Sequence, residues 1–520
     1  MPYLLHHLIQ ESAQRTPDAP ALLCKNQVLD YKGLWDRVAG SAAGLQDLGL
    51  KSNQRVAVYL PKQFEAVEFM FAALAANGVF VPVNPVLKPE QVQHILNDCE
   101  VAVLVTSRAR LESLTGVLPH CPALRHLVLV DDTPQELESD LSIHTADALR
   151  SAGQQPFSKR IDADMAAILY TSGSTGGPKG VVLSHANMLA GAHSVSSYLQ
   201  NRPDDRLLGV LPLSFDYGLS QLTTAFLVGA SVVLMDYLLP RDVIRAIVRH
   251  QVTGLAAVPS LWNQLATLEW PEEAVQSLRY LTNSGGSMPS STTRALRTSL
   301  PNTDIYLMYG LTEAFRSTFL EPEQLDVRAD SIGKAIPNAH VMVVRPDGSE
   351  CDDGEVGELV HRGALVSLGY WNNKEKTAHH FRPAPGQPAG LVNPEIAVWS
   401  GDKVKRDAEG YLYFVGREDE MIKTSGYRVS PTEIEEVVLQ LPGVAQAVIL
   451  GVPHPSLGQG IVLVAEADCT EQEILDHCRR ELPLYMLPGH LELQEFLPRT
   501  ANGKIDRVSL SRQHQARFLD

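Results

Sequence analysis

Cysteine is scarce in this sequence, and no cysteine stands in a metal-binding or disulfide pattern. The six cysteines of the 520 residues are scattered, and no two of them form a C-x-x-C pair. Zinc ribbons and disulfide frameworks need cysteines at characteristic spacings, so the sequence argues against both kinds of site. We therefore expect reduced thiols.

Long hydrophobic runs are also missing. No uninterrupted apolar stretch reaches the length of about 18 residues that a membrane-spanning helix needs. The first residues, MPYLLHHLIQESAQ, lack the basic start and the long apolar core of a secretory signal peptide. The sequence therefore predicts no membrane span and a cytoplasmic protein.

Positive charge is in deficit. The 44 lysines and arginines are outnumbered by 60 acidic residues, which gives a net charge of −16. Proteins that bind nucleic acids usually carry a basic face, so this balance argues against a nucleic-acid partner. Hydrophobic residues make up 44% and charged residues 20% of the chain, as in an ordinary globular protein. At this length, two or more domains with a large core are expected.

The residues that are present alternate between strand-like and helix-like segments, first over residues 55–106 and again over residues 206–308. Repeated strand–helix–strand order predicts parallel sheets covered by helices, with ligands at the carboxyl ends of the strands. The pattern changes near Asp419, and about 100 residues suffice for a small α+β domain. The sequence thus predicts an α/β fold with a large N-terminal domain, residues 1–418, and a small C-terminal domain, residues 419–520.

The stretch YTSGSTGGPKG, residues 170–180, is the most informative in the chain. Its glycines let backbone N–H groups turn toward one point, its hydroxyls add donors, and Lys179 adds a positive charge, so it suits a polyphosphate. It is not a Walker A loop, because Pro178 stands where that motif has its second glycine. Apolar runs on both sides predict that the loop joins two strands. The expected phosphate-binding residues are Thr171, Ser172, Gly173, Ser174, Thr175, Gly176 and Lys179.

Other polar groups follow predicted strands. The segment YGLTE, residues 309–313, offers an aromatic face for a base and a carboxylate of the kind that Mg²⁺ prefers. In NSGG, residues 283–286, the glycines let a flat ring approach the backbone. Asp402 is a candidate acceptor for ribose hydroxyls, with Arg417 as its support. Near the end of the chain, Lys504 stands on a glycine-containing turn.

Taken in order, these motifs resemble the adenylate-forming superfamily, which includes acyl-CoA synthetases, luciferases and the adenylation domains of nonribosomal peptide synthetases. The resemblance extends over essentially the whole chain and includes GREDEMIKTSGYRVSPTEIE, residues 416–435, and PRTANGKI, residues 498–505. One departure is Trp399-Ser400, where the family often has tyrosine and threonine, but Gly401-Asp402 is intact. The pattern looks closest to stand-alone acyl- or aminoacyl-activating ligases of bacterial biosynthetic clusters.

The resemblance implies two half-reactions. In the first, a carboxylate attacks the α-phosphorus of MgATP, which gives an acyl-adenylate and pyrophosphate. In the second, a thiol attacks the adenylate carbonyl, which gives a thioester and AMP. By resemblance, Lys504 is the catalytic cation of the first step, and Glu313 with Thr312 is the partner of Mg²⁺ and phosphate. The other nucleotide-binding residues implied are Ser284, Gly285, Gly286, Tyr309, Gly310, Asp402 and Arg417.

The resemblance also implies that the small domain is mobile and rotates between the two steps. The hinge candidate is Asp419, and a few residues at the end of an element can absorb such a motion. After the rotation, the segment from Lys423 to Tyr427 would face the adenylate. Gly426 would then leave room for a narrow pantetheine arm.

The small carboxylic acid that is activated is less defined. Asp216 stands where amino-acid-activating members carry an aspartate that pairs with the substrate ammonium. A buried carboxylate needs a cation, so Asp216 favours an amino acid unless it is exposed or only structural. Arg316 either lies in the pocket, where it can bind a second carboxylate or a polar tail, or points to solvent. The other pocket positions implied by the resemblance are Phe215, Tyr217, Ser220, Ala256, Thr282, Ser284, Met308 and Ser317.

The thiol acceptor has two candidates. Few residues follow Lys504, so the acceptor is expected to be a separate molecule. It is either the phosphopantetheine of an acyl or peptidyl carrier protein, which an amino-acid substrate favours, or coenzyme A. Two other classes fit less well: nothing marks a luciferase-like oxygenase, and a nucleotide sensor without chemistry would lack Lys504 or Glu313.

Overall fold

The computed structural model describes residues 2–131, 141–150, 159–171, 178–286, 288, 290–388, 390–417, 422–429, 431–498 and 506–519. Among the described residues, the strands form three sheets. Seven of the predicted site residues lie outside the described ranges: Ser172, Gly173, Ser174, Thr175, Gly176, Asp419 and Lys504.

The first sheet carries the strands on either side of the glycine-rich loop. Along this seven-stranded sheet of described residues lie Ser142–Thr145, His126–Leu129, Val101–Thr106, Arg55–Tyr59, Val79–Pro82, Met165–Thr171 and Lys179–Ser184. All neighbours are parallel except the last pair, Met165–Thr171 and Lys179–Ser184, which is antiparallel. The loop therefore joins two paired strands, as the sequence predicts.

The second sheet has a parallel half and an antiparallel half. Along this sheet of fourteen described strands lie Ala339–Val344, Val356–Gly363, Ile396–Arg406, Leu412–Arg417, Ser331–Ala335, Thr318–Leu320, Asp304–Tyr309, Tyr280–Asn283, Gly254–Ala257, Arg206–Gly209, Ser231–Leu234, Pro20–Cys24 and Gln27–Asp30, with Phe381–Pro383 beside Ile396–Arg406. Parallel pairing runs from Asp304–Tyr309 to Pro20–Cys24. The strands after residue 317 pair antiparallel, which the strand–helix rhythm upstream does not predict.

Helices cover these two sheets and share one core between them. Phe71 on one helix contacts Phe226 on another, with ring centroids 5.5 Å apart, and both are fully buried. No described helix is long and apolar enough to cross a bilayer. The helices of this part are His7–Arg15, Tyr31–Asp47, Phe64–Ala75, Pro89–Asp98, Arg108–Leu114, Ala146–Arg150, His185–Tyr198, Asp216–Val228, Pro240–His250, Pro259–Leu265, Glu272–Ser277, Ser290–Ser299 and Lys374–His380.

A third, smaller sheet is built from residues 422–493. Along it lie Tyr427–Val429, Ile422–Thr424, Gly458–Ala467 and Val444–His454, with His490–Leu493 parallel to Gly458–Ala467. The helices of this part are Pro431–Leu439, Glu471–Glu481 and Arg507–His514. The α/β fold with a smaller α+β C-terminal part is confirmed. The domain boundary at residues 418 and 419 lies outside the described residues and stays a prediction.

Candidate active site

Two adjoining cavities lie between the large sheets and the C-terminal sheet. Their volumes are about 1300 Å³ and about 150 Å³, and we call them the larger and the smaller cavity. Residues that line both are Gly285, Gly310, Gly426 and Arg428. Gly285 and Gly310 follow neighbouring strands of the parallel half-sheet, which is where ligands of such sheets bind.

The predicted nucleoside-binding residues meet in the larger cavity. The hydroxyl of Tyr309 donates a hydrogen bond to Oδ2 of Asp402, and both side chains line this cavity. Arg417 lies directly opposite Asp402 in the neighbouring strand. Gly286 also lines the larger cavity, so predicted nucleoside-binding residues that are far apart in the chain meet there. Met308, predicted for the acid pocket, lines this larger cavity and not the smaller one.

The predicted phosphate-binding residues meet in the smaller cavity. Lys179 Nζ lies 3.3 Å from Glu313 Oε1, and Thr171 and Thr312 line the same cavity. Thr171 Oγ1 is buried and has no hydrogen-bond partner among the described residues. A buried hydroxyl without a partner is unfavourable unless a ligand or water satisfies it, so this group fits a bound phosphate oxygen.

Tyr370 joins Lys179 to Glu313, a role that the sequence reasoning did not predict. Its hydroxyl donates to Glu313 Oε1 at 2.6 Å and accepts from Lys179 Nζ at 3.1 Å. Backbone bonds bring it there: Val182 N–H donates to Gly369 O, and Trp371 N–H donates to Gly180 O. The strand that ends the glycine-rich loop therefore also positions Tyr370.

This arrangement keeps Glu313 ionised. Burial alone would raise the pKa of Glu313, but Lys179, Arg428 and the Tyr370 hydroxyl stabilise the carboxylate and bring its pKa down to about 2. Burial lowers the pKa of Lys179, and the Glu313 carboxylate opposes that shift. An ionised carboxylate beside a phosphate site is the oxygen ligand that Mg²⁺ prefers, so the residues fit this ion.

Removing the Tyr370 hydroxyl should weaken the phosphate side of the site. We expect Tyr370→Phe to lower kcat/KM for MgATP by about tenfold, since a hydrogen bond to a charged group is worth about 1.5–3 kcal/mol. Steady-state kinetics at varied ATP concentration measure this. Tyr413→Phe is the matched control, because the Tyr413 hydroxyl also donates to a carboxylate, that of Asp407 at 3.0 Å, on strand Leu412–Arg417. Equal kinetics for the two variants would contradict the assigned role of Tyr370.

Asp216 and Arg316, which also line the smaller cavity, form a buried ion pair. Arg316 Nη1 donates to Asp216 Oδ2 at 3.0 Å and to the Phe315 carbonyl at 3.0 Å. The exposed fractions of Asp216 and Arg316 are only 4% and 2%. Neither residue points to solvent, so an exposed Asp216 and a solvent-directed Arg316 are both wrong, while an Asp216 that is only structural stays open. Asp216 already has a cation partner within the chain.

The turn before Arg316 directs its side chain inward. After the short 3₁₀ turn Thr312–Ala314, Phe315 takes a left-handed φ of 56°, which is rare for an aromatic residue. The Phe315 ring is fully buried against Gly191, where a Cβ atom would lie 2.5 Å from the ring. Packing thus holds a strained backbone, and strain of this kind concentrates at functional sites.

Most of the predicted acid-pocket residues do not line the smaller cavity. The described residues Tyr217, Ser220, Ala256, Thr282 and Ser317 are buried and are not part of its lining, whereas Phe215 and Ser284 line the cavity. The Tyr217 hydroxyl lies 2.5 Å from Thr282 Oγ1, and Ser317 Oγ lies 2.9 Å from His361 Nδ1. These four polar groups are therefore paired within the fold.

The turn that contains Gly426 lies where the two cavities adjoin. Gly426 has a φ of 80°, and a Cβ atom there would lie 2.5 Å from Val258 Cγ1. Lys423, on the same segment, lines the larger cavity with its Nζ 4.1 Å from the centroid of the Phe414 ring. The pantetheine role that the resemblance implies for Lys423 and Gly426 stays a prediction.

Arg428 is a further site residue that the sequence reasoning missed. It lines both cavities. Its positive charge stabilises the Glu313 carboxylate and so helps to keep the pKa of Glu313 low. The only sign of this role in the sequence was its position as a cation two residues after Gly426, within residues 416–435, which resemble the adenylate-forming superfamily. Nothing in the sequence indicated that its strand, Tyr427–Val429, faces the phosphate side.

Comparison with known proteins gives matches over most of the chain. The family model of the AMP-binding enzyme matches residues 9–371, and that of the AMP-binding enzyme C-terminal domain matches residues 433–504. An L-proline–[L-prolyl-carrier protein] ligase of Pseudomonas fluorescens is 32% identical, with 98% of this chain and 99% of that protein covered. A long-chain-fatty-acid–CoA ligase of Escherichia coli is 30% identical, with 97% and 93% covered. The solved structure of o-succinylbenzoate CoA synthetase from Bacillus subtilis superposes with a TM-score of 0.83 at 25% identity, with 97% of this chain and 98% of that chain covered.

Proposed function

Because the chain belongs to the AMP-binding enzyme family and is an AMP-forming ligase, we propose that it activates a small carboxylic acid and transfers the acyl group to the phosphopantetheine of a separate carrier protein. One observation carries the proposal. Two charged pairs, Lys179 with Glu313 and Arg316 with Asp216, line the same smaller cavity. A phosphate and a short acid bound there would lie side by side, and such positioning supplies much of the catalysis in a reaction between two anions.

The residues present fit ATP and Mg²⁺. Tyr309 would stack on the adenine, Asp402 would accept from the ribose hydroxyls, and Lys179 would donate to phosphate oxygens. Thr171 Oγ1, buried without a described partner, would donate to the same group. Glu313 would bind Mg²⁺, and the bound ion supplies positive charge beside the phosphates.

The remaining roles follow the resemblance. Lys504 would stabilise the charge that develops at the α-phosphate in the first step, since a positioned cation acts most where charge forms. Asp419 would be the hinge of the small domain. Gly426 and Lys423 would then form the wall along which the pantetheine arm reaches the adenylate.

The acid should be small. The smaller cavity, which the Asp216–Arg316 pair lines, has a volume of about 150 Å³, too little for a long alkyl chain. An amino acid remains a candidate, and the relative that acts on a prolyl carrier protein favours it. Its ammonium would have to share Asp216 with Arg316.

Coenzyme A is the second candidate acceptor. Lys423 and Arg512 line the larger cavity, and cations at this place suit the phosphates of the coenzyme A nucleotide. A carrier protein and coenzyme A present the same pantetheine thiol, so both can use the passage beside Gly426.

The proposed function is tested by acid-dependent ATP–pyrophosphate exchange with a panel of short amino acids, short plain acids and long-chain fatty acids. We expect exchange with a short acid and none with a long chain, since the smaller cavity is short. Hydroxylamine trapping of the adenylate checks each positive acid. The accepted acid is then offered with coenzyme A and with phosphopantetheinylated carrier proteins. Exchange that does not depend on any acid, or that is fastest with fatty acids, would contradict the proposal.

A further inference from the structure

We propose that Arg316 determines the specificity of the acid pocket and that the natural acid carries a neutral hydrogen-bond acceptor, such as a hydroxyl or carbonyl oxygen, which this arginine binds. The inference rests on the proposed function and names the class of acid within it. It departs from the expectation that Asp216 selects an ammonium group. The observations that carry it are the unused donors of Arg316 and the charge balance of the pocket.

Two of the three guanidinium nitrogens of Arg316 make no hydrogen bond to the described residues. Nη1 is engaged with Asp216 and with the Phe315 carbonyl, but Nε and Nη2 are buried and have no hydrogen-bond partner among the described residues. Arg316 lines the smaller cavity. Buried donors are almost always satisfied in native proteins, so two unused donors at a cavity wall indicate an acceptor on the ligand.

The guanidinium is held rigidly in place. It lies over the Tyr217 ring, 4.7 Å from the centroid, and the strained turn at Phe315 fixes its backbone. Asp216 anchors it from the start of the helix Asp216–Val228. A preorganised donor of this kind favours a ligand that matches its position, because little conformational freedom is lost on binding.

The charge balance decides which kind of acceptor fits. Asp216 and Arg316 neutralise each other, and Lys179 lies beside Glu313. An ammonium cannot accept a hydrogen bond and would meet the Arg316 cation, whereas a second carboxylate would add an unpaired negative charge beside Asp216. Burying an unpaired charge is costly, and a neutral oxygen accepts from Arg316 without adding a charge beside this pair.

A second polar atom lies close to the pair in the fold. Ser220 stands four residues after Asp216 on the same helix, so the two side chains share one face. The Ser220 hydroxyl is buried and also lacks a hydrogen-bond partner among the described residues. A buried polar atom without a described partner thus lies one helical turn from Asp216, outside the lining of the smaller cavity.

The test compares matched acids in the exchange assay. The pairs are 3-hydroxybenzoate with benzoate, 3-hydroxybutyrate with butyrate, and 4-oxopentanoate with pentanoate; proline, alanine and succinate represent the charged classes. We expect the best acid to carry a neutral oxygen and to exceed its plain partner by about tenfold or more in kcat/KM. Arg316→Met should remove that preference, so that the ratio of kcat/KM for the oxygen-bearing acid to kcat/KM for its plain partner falls to about one.

Two further variants separate specificity from folding. Arg316→Met leaves the buried Asp216 carboxylate without its cation, so the double variant with Asp216→Asn removes both charges and serves as the stability-matched form. ATP binding, measured by calorimetry, should be the same in all forms, since the nucleotide residues are unchanged. Asp216→Asn alone leaves the positive charge of Arg316 without its anion. This variant should raise the activity on succinate relative to that on the oxygen-bearing neutral acids.

The outcomes distinguish this inference from the proposed function. If proline or alanine is the best substrate and Arg316→Met does not affect it, the inference is overturned while the ligase activity stands. The same holds if succinate is the best substrate of the unaltered enzyme. If no acid supports exchange, the proposed function and the inference both fall.

Discussion

Replacement of Lys504 by alanine is expected to lower acid-dependent ATP–pyrophosphate exchange by about 10²- to 10³-fold, the usual effect of removing one group that stabilises developing charge. Thioester formation from presynthesised acyl-adenylate should change little, because by then the α-phosphate has already reacted. The two assays, run on the same preparation, give the ratio that identifies a role confined to the first step.

The charges of the smaller cavity explain why a further cation is needed. Lys179 lies 3.3 Å from the Glu313 carboxylate, and Arg316 lies 3.0 Å from that of Asp216. Each of these cations already stands beside an anion, so an incoming acid and an α-phosphate would bring excess negative charge. Two anions in a site that excludes water repel each other more strongly than they would in bulk solvent. We expect Lys504 to supply the missing charge in the first step.

Arg428 is the described residue that could take this role instead, since it lines the same cavity. Arg428→Met therefore belongs in the same experiment. Lys405→Ala is the control, because Lys405 stands on strand Ile396–Arg406 with its Nζ 5.9 Å from the centroid of the Tyr413 ring. If pyrophosphate exchange survives in Lys504→Ala and is lost in Arg428→Met, Arg428 and not Lys504 is the catalytic cation.

The parts of the site that could be predicted from sequence depend on short segments. The strands beside the glycine-rich loop, Met165–Thr171 and Lys179–Ser184, are local elements, so their pairing followed from two apolar runs with turn residues between them. Tyr309 and Gly285 could be placed at one edge because parallel strands end on the same side of a sheet. Such inferences need only neighbouring residues and a rule of topology.

The parts that could not be predicted depend on contacts between distant residues. Tyr370 lies 191 residues from Lys179 and reaches it only because residues 368–371 pair with the strand after the loop. The Asp216–Arg316 pair spans 100 residues and depends on the left-handed backbone of Phe315. The spacing of apolar residues along the chain carries no information on either of these two contacts. The antiparallel half of the large sheet was missed for a related reason, since its strands lack the intervening helices that marked the parallel half.

The second large effect is expected from Gly426→Ala, which should slow thioester formation by about 10- to 100-fold and spare pyrophosphate exchange. A Cβ atom at Gly426 would lie 2.5 Å from Val258 Cγ1 and 2.7 Å from Val258 Cβ. Overpacking of this kind typically costs about 1–3 kcal/mol, and each 1.36 kcal/mol is tenfold in rate. Because the proposed rotation separates these two residues during the first step, the clash should act on the second step alone.

The control must carry the same backbone strain without the clash. Gly443, also in the C-terminal part, has a φ of 97°, and its nearest neighbour would lie 3.5 Å from an added Cβ atom, an ordinary contact. Gly443→Ala should therefore leave both half-reactions nearly unchanged. Since the three atoms nearest to the added Cβ all belong to Val258, adding Val258→Ala to Gly426→Ala should restore part of the thioester activity. If Gly426→Ala slows exchange and thioester formation equally, Gly426 acts through stability, and the passage beside it does not carry the thiol.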